Sequence, residues 1–170
     1  GPDMPLLQQS LLRDDAYLPG IVQTFPPLTM SARLEASRGE PSPLRDGINR
    51  PVGANSHAWE CSAGDHVEYL FDQPRRVAEV TVVVDSALDR LIAMSHLQKD
   101  GHIAETPEVM PRAFTVEGLV GENWSVIVRV MDNRQRLWRM PLDHELEGVR
   151  FTVDATRGSQ KTRLYAFYLD

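Results

Sequence analysis

Cysteine is nearly absent from this sequence, which has a single one, Cys61, among 170 residues. A lone thiol cannot form an intramolecular disulfide or supply the several cysteines of a structural zinc site. Free cysteine is among the residue types most often buried, so we expect Cys61 to pack as a small apolar side chain. The sequence therefore predicts a fold that is stabilised by buried apolar surface, without covalent cross-links.

Long apolar runs and an excess of positive charge are also missing. No segment approaches the roughly 20 apolar residues that a membrane-spanning helix requires, and the sequence opens without the basic-then-apolar pattern of a signal peptide. The net charge is −6, whereas proteins that bind nucleic acids neutralise phosphates with clustered Lys and Arg. We therefore expect no membrane span and no nucleic-acid partner, while the compartment stays open.

Motifs that carry catalysis are missing as well. No G-x-G-x-x-G follows a predicted strand, so there is no loop to present helix N–H groups to the pyrophosphate of a dinucleotide. His96, His102 and His144 lack the H-E-x-x-H spacing of a zinc site. Asp14 and Asp15 are adjacent and would diverge on a helix, so they do not form an acid–base pair. We predict that this chain alone is not an enzyme and holds no FAD.

Short segments of alternating apolar residues are abundant. In residues 66–71 every second side chain is apolar, which is the period of a half-buried strand. Residues 72–74, which end in proline, predict a turn, and the β-branched residues of 77–85 predict the next strand. The same reasoning predicts strands at residues 29–37, 112–119, 123–131, 135–140, 149–155 and 161–169.

Polar turns and one helix complete the predicted organisation. Residues 121–123 and residues 132–134 each predict a short hairpin-type connection, and the second predicts a tight hairpin. Residues 4–17 predict a helix that Pro19-Gly20 ends. Closely spaced strands without βαβ alternation predict an all-β fold, an antiparallel β-sandwich or jelly roll with one N-terminal helix.

The composition divides the chain into two parts. Residues 1–31 hold the predicted helix and a proline-rich linker, whereas the predicted strands lie in residues 32–170. A chain of this length supports one domain with a sizeable core and is too short for two comfortable ones. We therefore predict a single sandwich domain at 32–170 that is preceded by a helical tail.

The order of these features resembles a known family. The sequence is similar to a discoidin-like domain in the order of five features. These are a polar loop with Asp46-Gly47, then Trp59, the strand at residues 77–82, the segment 114–117 followed by Asn123-Trp124, and the terminal strand around 162–165. This fold is also called coagulation factor 5/8 type C or galactose-binding-like. The resemblance covers about residues 32–169 and implies a non-catalytic module whose ligand class is carbohydrate.

Three segments carry a narrower resemblance. Residues 7–20 are similar to the end of the catalytic part of certain bacterial FAD-dependent oxidoreductases, which carry a discoidin-like module at the C-terminus. Residues 46–51 and 84–90 are similar to the same subgroup. The resemblance implies that residues 1–31 are the tail of a catalytic domain and that a flavin-binding domain of the same polypeptide is a partner. FAD is then expected only in that domain. A bacterial, periplasmic or secreted location fits the resemblance but is not fixed by it.

The resemblance also implies a structural calcium ion beside the polar loop. Calcium takes about six to eight oxygen ligands, which Leu44, Asp46, Asn49 and Arg50 would supply in part, Asp46 through its carboxylate. The family often adds a Glu from the last strand, but Ala166 stands at that position. The alternative is that Asp46-Gly47 is only a turn, in which Asp accepts local backbone hydrogen bonds.

A sugar-binding site needs an exposed aromatic face with polar side chains around it. Trp124 and Trp59 are the candidate stacking residues, because both have polar neighbours in the sequence. The predicted polar rim of this site consists of His57, Arg50, Arg134 and His96. The alternative for each tryptophan is core packing, since aromatic side chains bury a large apolar area.

Two further functions compete with carbohydrate binding. A structural module would pack on the flavin domain through the stripe of Leu7, Leu11 and Leu18 and would have no ligand of its own. A protein-binding adhesion module would use the same fold, because this fold does not fix the ligand. An exposed aromatic residue favours ligand binding, whereas enclosed tryptophans and an exposed apolar patch favour packing.

Overall fold

The computed structural model describes residues 25–46, 58–84 and 110–170, so the predicted helix at 4–17 lies outside the described residues. These ranges contain one short helix, α1 (Pro27–Ser31), and a 3₁₀ turn (Ser42–Arg45). None of their helices is long and apolar enough to span a membrane. The strands are β1 (Arg33–Ala36), β2 (Trp59–Ser62), β3 (His66–Val84), β4 (Pro111–Val120), β5 (Asn123–Val130), β6 (Leu137–Thr156) and β7 (Lys161–Leu169).

All strand pairs are antiparallel, in the order β2-β7-β3-β6-β4-β5, and β1 also pairs with β3. β3 and β6 are long enough to run through both layers of a sandwich. In the first layer, the first half of β3 and the second half of β6 pair with β1 and β4, and β5 forms the edge. In the second layer, the other halves join β7 and β2. The predicted antiparallel sandwich is confirmed.

Aromatic side chains from both layers meet in the core. Phe151 lies 4.9 Å from Phe114 and 6.1 Å from Phe167, measured between ring centroids. The ring of Tyr69 lies 4.8 Å from that of Phe167, and its hydroxyl donates a hydrogen bond to the Phe167 carbonyl. This contact joins the layers, because Tyr69 belongs to the first half of β3 and Phe167 to β7.

The predicted turn at residues 72–74 is wrong. These residues continue β3, so the segment 66–71 and residues 77–84 of the second predicted segment belong to one strand. The pairing with β6 shifts register between Leu70 and Arg75, and Pro74 lies in this exposed gap. Proline is tolerated there because no ladder hydrogen bond requires its missing N–H.

Of the two predicted hairpins, the first is confirmed. Val120 pairs with Asn123 across Gly121-Glu122, and Gly121 has a φ of 64°, which the first position of a type II′ turn requires. The second hairpin, at residues 132–134, is wrong, because β6 pairs with β4 rather than with β5.

Asn133 explains the path of this connection. Its backbone N–H donates to the Arg112 carbonyl at 2.6 Å, and its side-chain amide donates to the Pro111 carbonyl at 3.1 Å. These hydrogen bonds hold Asn133 at the start of β4, so the chain does not turn back along β5. The segments 135–140 and 149–155 were predicted as separate strands, but residues 137–140 and 149–155 both belong to β6, which begins at Leu137.

The segment before β1 packs against β7. The predicted strand at 29–37 is reduced to β1, because Pro27 begins helix α1, where the fixed φ of proline is favourable. The hydroxyl of Thr29 donates to the Leu169 carbonyl at 2.5 Å and accepts the Leu169 N–H at 2.9 Å. The ring of Phe25 lies edge-on to Tyr168 at 4.9 Å. Residues 25–31 are thus part of the packed unit.

Candidate functional site

Three charged side chains lie side by side on the outward face of the first layer. Arg150 of β6 is directly opposite Glu68 of β3 on one side and Glu117 of β4 on the other. Residues flanking these positions, including Tyr69 and Val149, point into the core and are buried. Because side chains alternate along a strand, the three charged residues are placed together on the opposite face.

Arg150 holds this row together. Its Nε and Nη2 atoms each lie 3.1 Å from Oε1 of Glu117, and its Nη1 lies 3.8 Å from Oε2 of Glu68. The guanidinium carbon lies 4.3 Å from the ring centroid of Trp124, a cation–π arrangement. We call Trp124, Arg150, Glu117 and Glu68 the Trp124 platform.

Gly148 lets the indole of Trp124 lie close to the sheet. A Cβ atom at Gly148 would stand 2.7 Å from the Tyr69 carbonyl oxygen and 3.2 Å from Cη2 of Trp124. Backbone atoms of a paired strand cannot move away cheaply, so a larger residue does not fit. The absence of a side chain at Gly148 therefore allows the indole of Trp124 to lie against the sheet.

Trp59 does not present a ring face to a ligand. Its side chain is 1% exposed, and its Nε1–H donates to the Arg38 carbonyl at 2.6 Å. The indole is thus enclosed, and its polar group is already satisfied, so the predicted stacking role is corrected to core packing. Trp138 also packs, edge-on against Phe114 with ring centroids 5.1 Å apart.

Arg134 is separated from Trp124 by the length of β5. It lies in the β5–β6 connection, where its Nε is 3.2 Å from Oδ2 of Asp132, and Arg157 contacts the other oxygen of that carboxylate. Hydrogen bonds from Arg157 and Arg134 lower the pKa of Asp132 below its ordinary value of 3.8. The contacts of Arg134 and Arg157 with Asp132 thus stabilise the connection between β5 and β6, and Arg134 is not part of the Trp124 platform. The predicted rim residues His57, Arg50 and His96 lie outside the described residues.

The polar loop does not supply a complete calcium site from its described part. Leu44 is in the 3₁₀ turn with its side chain fully buried, and Asp46 caps that turn. Ala166 packs in a separate apolar cluster, and Asn49 and Arg50 lie outside the described residues. No group of three or more His, Cys, Asp or Glu residues in the described ranges could hold a metal. One carboxylate falls short of the oxygen donors that calcium needs.

Cys61 is not available as a nucleophile in the folded chain. Its side chain is fully buried, as predicted, and burial raises the pKa of its thiol to about 12, with the Asp65 carboxylate adding to the effect. The thiolate is the reactive form of cysteine. The Trp124 platform, by contrast, offers an aromatic ring and carboxylate oxygens, which suit binding by stacking and hydrogen bonding.

Solved structures of several carbohydrate-binding modules are similar to the fold of this chain. Chitosan-binding module 2 of a Paenibacillus sp. IK-5 chitosanase/glucanase, solved with chitotriose, has a TM-score of 0.59 at 11% identity, covering 84% of this chain and 98% of that one. The chain shares their β-sandwich fold. The family 32 module of Streptococcus pneumoniae EndoD has a TM-score of 0.58 at 14% identity, covering 82% and 94% of the two chains.

A third neighbour is the family 32 module of C. perfringens NanJ, solved with galactose, with a TM-score of 0.56 at 8% identity and coverages of 82% and 93%. These neighbours support the discoidin-like, galactose-binding-like fold expected from the sequence. No protein-family model and no curated protein sequence matches the chain. At these identities the similarity is one of fold, and the resemblance to oxidoreductase modules stays a prediction.

Trp124 was predicted from the sequence as a candidate stacking residue, whereas the other residues of its platform were not. Glu68, Glu117 and Arg150 are each a single charged residue between buried neighbours of a strand. That pattern indicates an outward position, and it was available in the sequence. It does not show which strands are adjacent, so the row could be recognised only after the pairing of β3, β6 and β4 was known.

Proposed function

We propose that the chain is a non-catalytic carbohydrate-binding accessory module and that the Trp124 platform is its binding surface. The observation that carries this proposal is the half-buried indole of Trp124, fixed on the outward face of the sandwich by Arg150 at 4.3 Å. The fold it shares with modules solved with chitotriose and galactose gives further support.

The chemistry of the platform suits a pyranose ring. The apolar C–H face of a sugar packs on an aromatic ring, and its hydroxyl groups need acceptors and donors at the ring edge. Both contacts of Arg150 with Glu117 use Oε1, which leaves Oε2 to accept from a sugar hydroxyl. Because Arg150 also holds the indole in place, little side-chain entropy is lost when a ligand stacks.

A glycan array followed by calorimetry on its hits tests the proposal. We expect the chain to bind oligosaccharides and the Trp124→Ala variant to bind them at least about tenfold more weakly, since an aromatic contact of this kind contributes on the order of 1 kcal/mol or more. Met30→Ala is the control, because Met30 is an exposed apolar residue of helix α1, which packs against β7 of the second layer. An array without hits, or equal binding by Trp124→Ala, would contradict the proposal.

Exposed apolar residues beside the platform favour a second candidate, a protein-packing module. Val120 is 60% and Val126 50% exposed, and both lie on the β4–β5 hairpin that carries Trp124. A hairpin of this kind could pack on another domain of the same polypeptide. Loss of binding to a separately expressed flavin domain in a Val120→Ser, Val126→Ser variant would favour this function over carbohydrate binding.

We further propose that the parent protein is an FAD-dependent oxidoreductase. The support is the resemblance of residues 7–20 to the end of the catalytic part of such enzymes, and of residues 46–51 and 84–90 to the subgroup that carries a discoidin-like C-terminal module. The reading frame upstream of this segment tests the proposal. It should encode a G-x-G-x-x-G between a strand and a helix, and a frame without a dinucleotide-binding motif would contradict it.

Calcium binding by the polar loop also stays a proposal, supported by Asp46 and the carbonyl of Leu44 in the 3₁₀ turn. A ligand that binds only the folded state raises its melting temperature. Excess calcium should therefore raise the midpoint relative to EGTA, and Asp46→Asn should abolish the difference. Equal midpoints for the unsubstituted chain in calcium and in EGTA would show that no ion binds.

A further inference from the structure

The Trp124 platform carries more negative than positive charge. It has two carboxylates, Glu68 and Glu117, and one guanidinium, that of Arg150. All four side chains are partly buried, so these charges are screened by water less than those of freely exposed groups. The surplus carboxylate charge therefore contributes to the choice of ligand.

The positive charge of Arg150 is already balanced by the carboxylates on either side of it. Its Nε and Nη2 contact Glu117 at 3.1 Å, its Nη1 faces Glu68 at 3.8 Å, and its planar face lies on Trp124. A sugar carboxylate would have to compete with Glu117 and Glu68 for the guanidinium. It would also approach two carboxylates of like charge, which costs binding energy at an interface.

We infer that the platform selects glycans that carry a protonated amine over glycans that carry carboxylates. This inference rests on the proposed carbohydrate-binding function and names its ligand class. An ammonium group on a stacked sugar meets Oε2 of Glu117, the oxygen that Arg150 does not contact. A uronate in the same position meets two carboxylates and a guanidinium whose charge they already balance.

Two trimers of opposite charge test the inference directly. We expect chitotriose, a glucosamine trimer, to bind at least about tenfold more tightly than a mannuronate trimer at neutral pH and low salt, because charge complementarity steers such choices. High salt should bring the ratio of the two affinities closer to one, because dissolved ions screen the charges of the platform and the ligand.

A charge-removing variant identifies the group responsible. Glu117→Gln keeps the shape of the side chain and an oxygen that can accept from Arg150, so the platform should stay folded. It should bind chitotriose more weakly and the mannuronate trimer more tightly, reducing the ratio about tenfold. Glu60→Gln removes the same charge from β2 in the second layer and should leave the ratio unchanged.

The outcomes separate this inference from the function on which it rests. Equal or tighter binding of the mannuronate trimer would overturn the inference while leaving carbohydrate binding intact. An unchanged ratio in Glu117→Gln would overturn it as well, because the selectivity would then arise elsewhere. Absence of binding to both trimers and to every glycan of the array would instead refute the proposed function, and the inference with it.

Discussion

At the scale of single residues, burial decides how Cys61 reacts. Its thiol has a pKa raised from 9.0 to about 12, so the folded chain holds almost no thiolate at neutral pH. We predict that a disulfide reagent modifies native Cys61 roughly a thousandfold more slowly than a free thiol, because each pKa unit changes the thiolate fraction about tenfold. In strong urea the rate should rise to that of an exposed cysteine. Rapid modification of the native chain would contradict the burial.

The sequence was informative about Cys61 and less so about the tryptophans. Burial of Cys61 follows from the general behaviour of free cysteine, which needs no knowledge of the fold. Trp59 and Trp124 both have polar neighbours along the chain, so local sequence could not separate them. Only the strand pairing encloses Trp59 and brings Arg150 under Trp124.

At the scale of elements, Thr29 anchors helix α1 to the end of β7. Its hydroxyl bonds both the N–H and the carbonyl of Leu169. Thr29→Val keeps the shape but leaves both groups buried without this partner, so we predict a loss of about 1–3 kcal/mol in the free energy of unfolding. Urea titration measures it. Thr152→Val, on the outward face of β6, should change stability little, and equal effects of the two would contradict the anchoring role.

The connection between β5 and β6 depends on an ionised Asp132. Hydrogen bonds from Arg157 and Arg134 lower its pKa below 3.8, so its stabilising contribution is present above 3.8 and is lost as pH falls through the lowered value. We predict that Asp132→Asn melts at a lower temperature than the unsubstituted chain at neutral pH. This difference should shrink in acid below 3.8. Asp72→Asn, an exposed substitution on β3, is the control, and a difference that grows in acid would contradict this account.

Strand existence was predictable from the sequence, whereas strand partners were not. Alternating apolar residues identified most strands, including the segment 161–169 that is β7. Pro74 looked like a turn because a proline inside a central strand is unfavourable, but β3 passes it where the ladder has a gap. The path after β5 is set by Asn133, whose bonds to Pro111 and Arg112 join residues distant in the chain.

At the scale of the whole molecule, the sandwich was predictable as a class and the platform was not. Closely spaced strands without βαβ alternation are sufficient for the class. The platform requires that β3, β6 and β4 be neighbours in the first layer, because only then do Glu68, Arg150 and Glu117 form one row. Non-local pairing of this kind leaves no local pattern in the sequence.

The indole N–H signals of the three tryptophans in a ¹⁵N–¹H NMR spectrum test the central claim most directly. Titration with chitotriose, and separately with galactose, should shift the Trp124 signal with at least one of the two sugars. The signal of Trp59 should stay in place because its side chain is buried, and that of Trp138 because its ring packs edge-on against Phe114 in the second-layer half of β6. Three unmoved signals at saturating sugar, or a shift that leaves Trp124 unchanged, would contradict binding at the Trp124 platform.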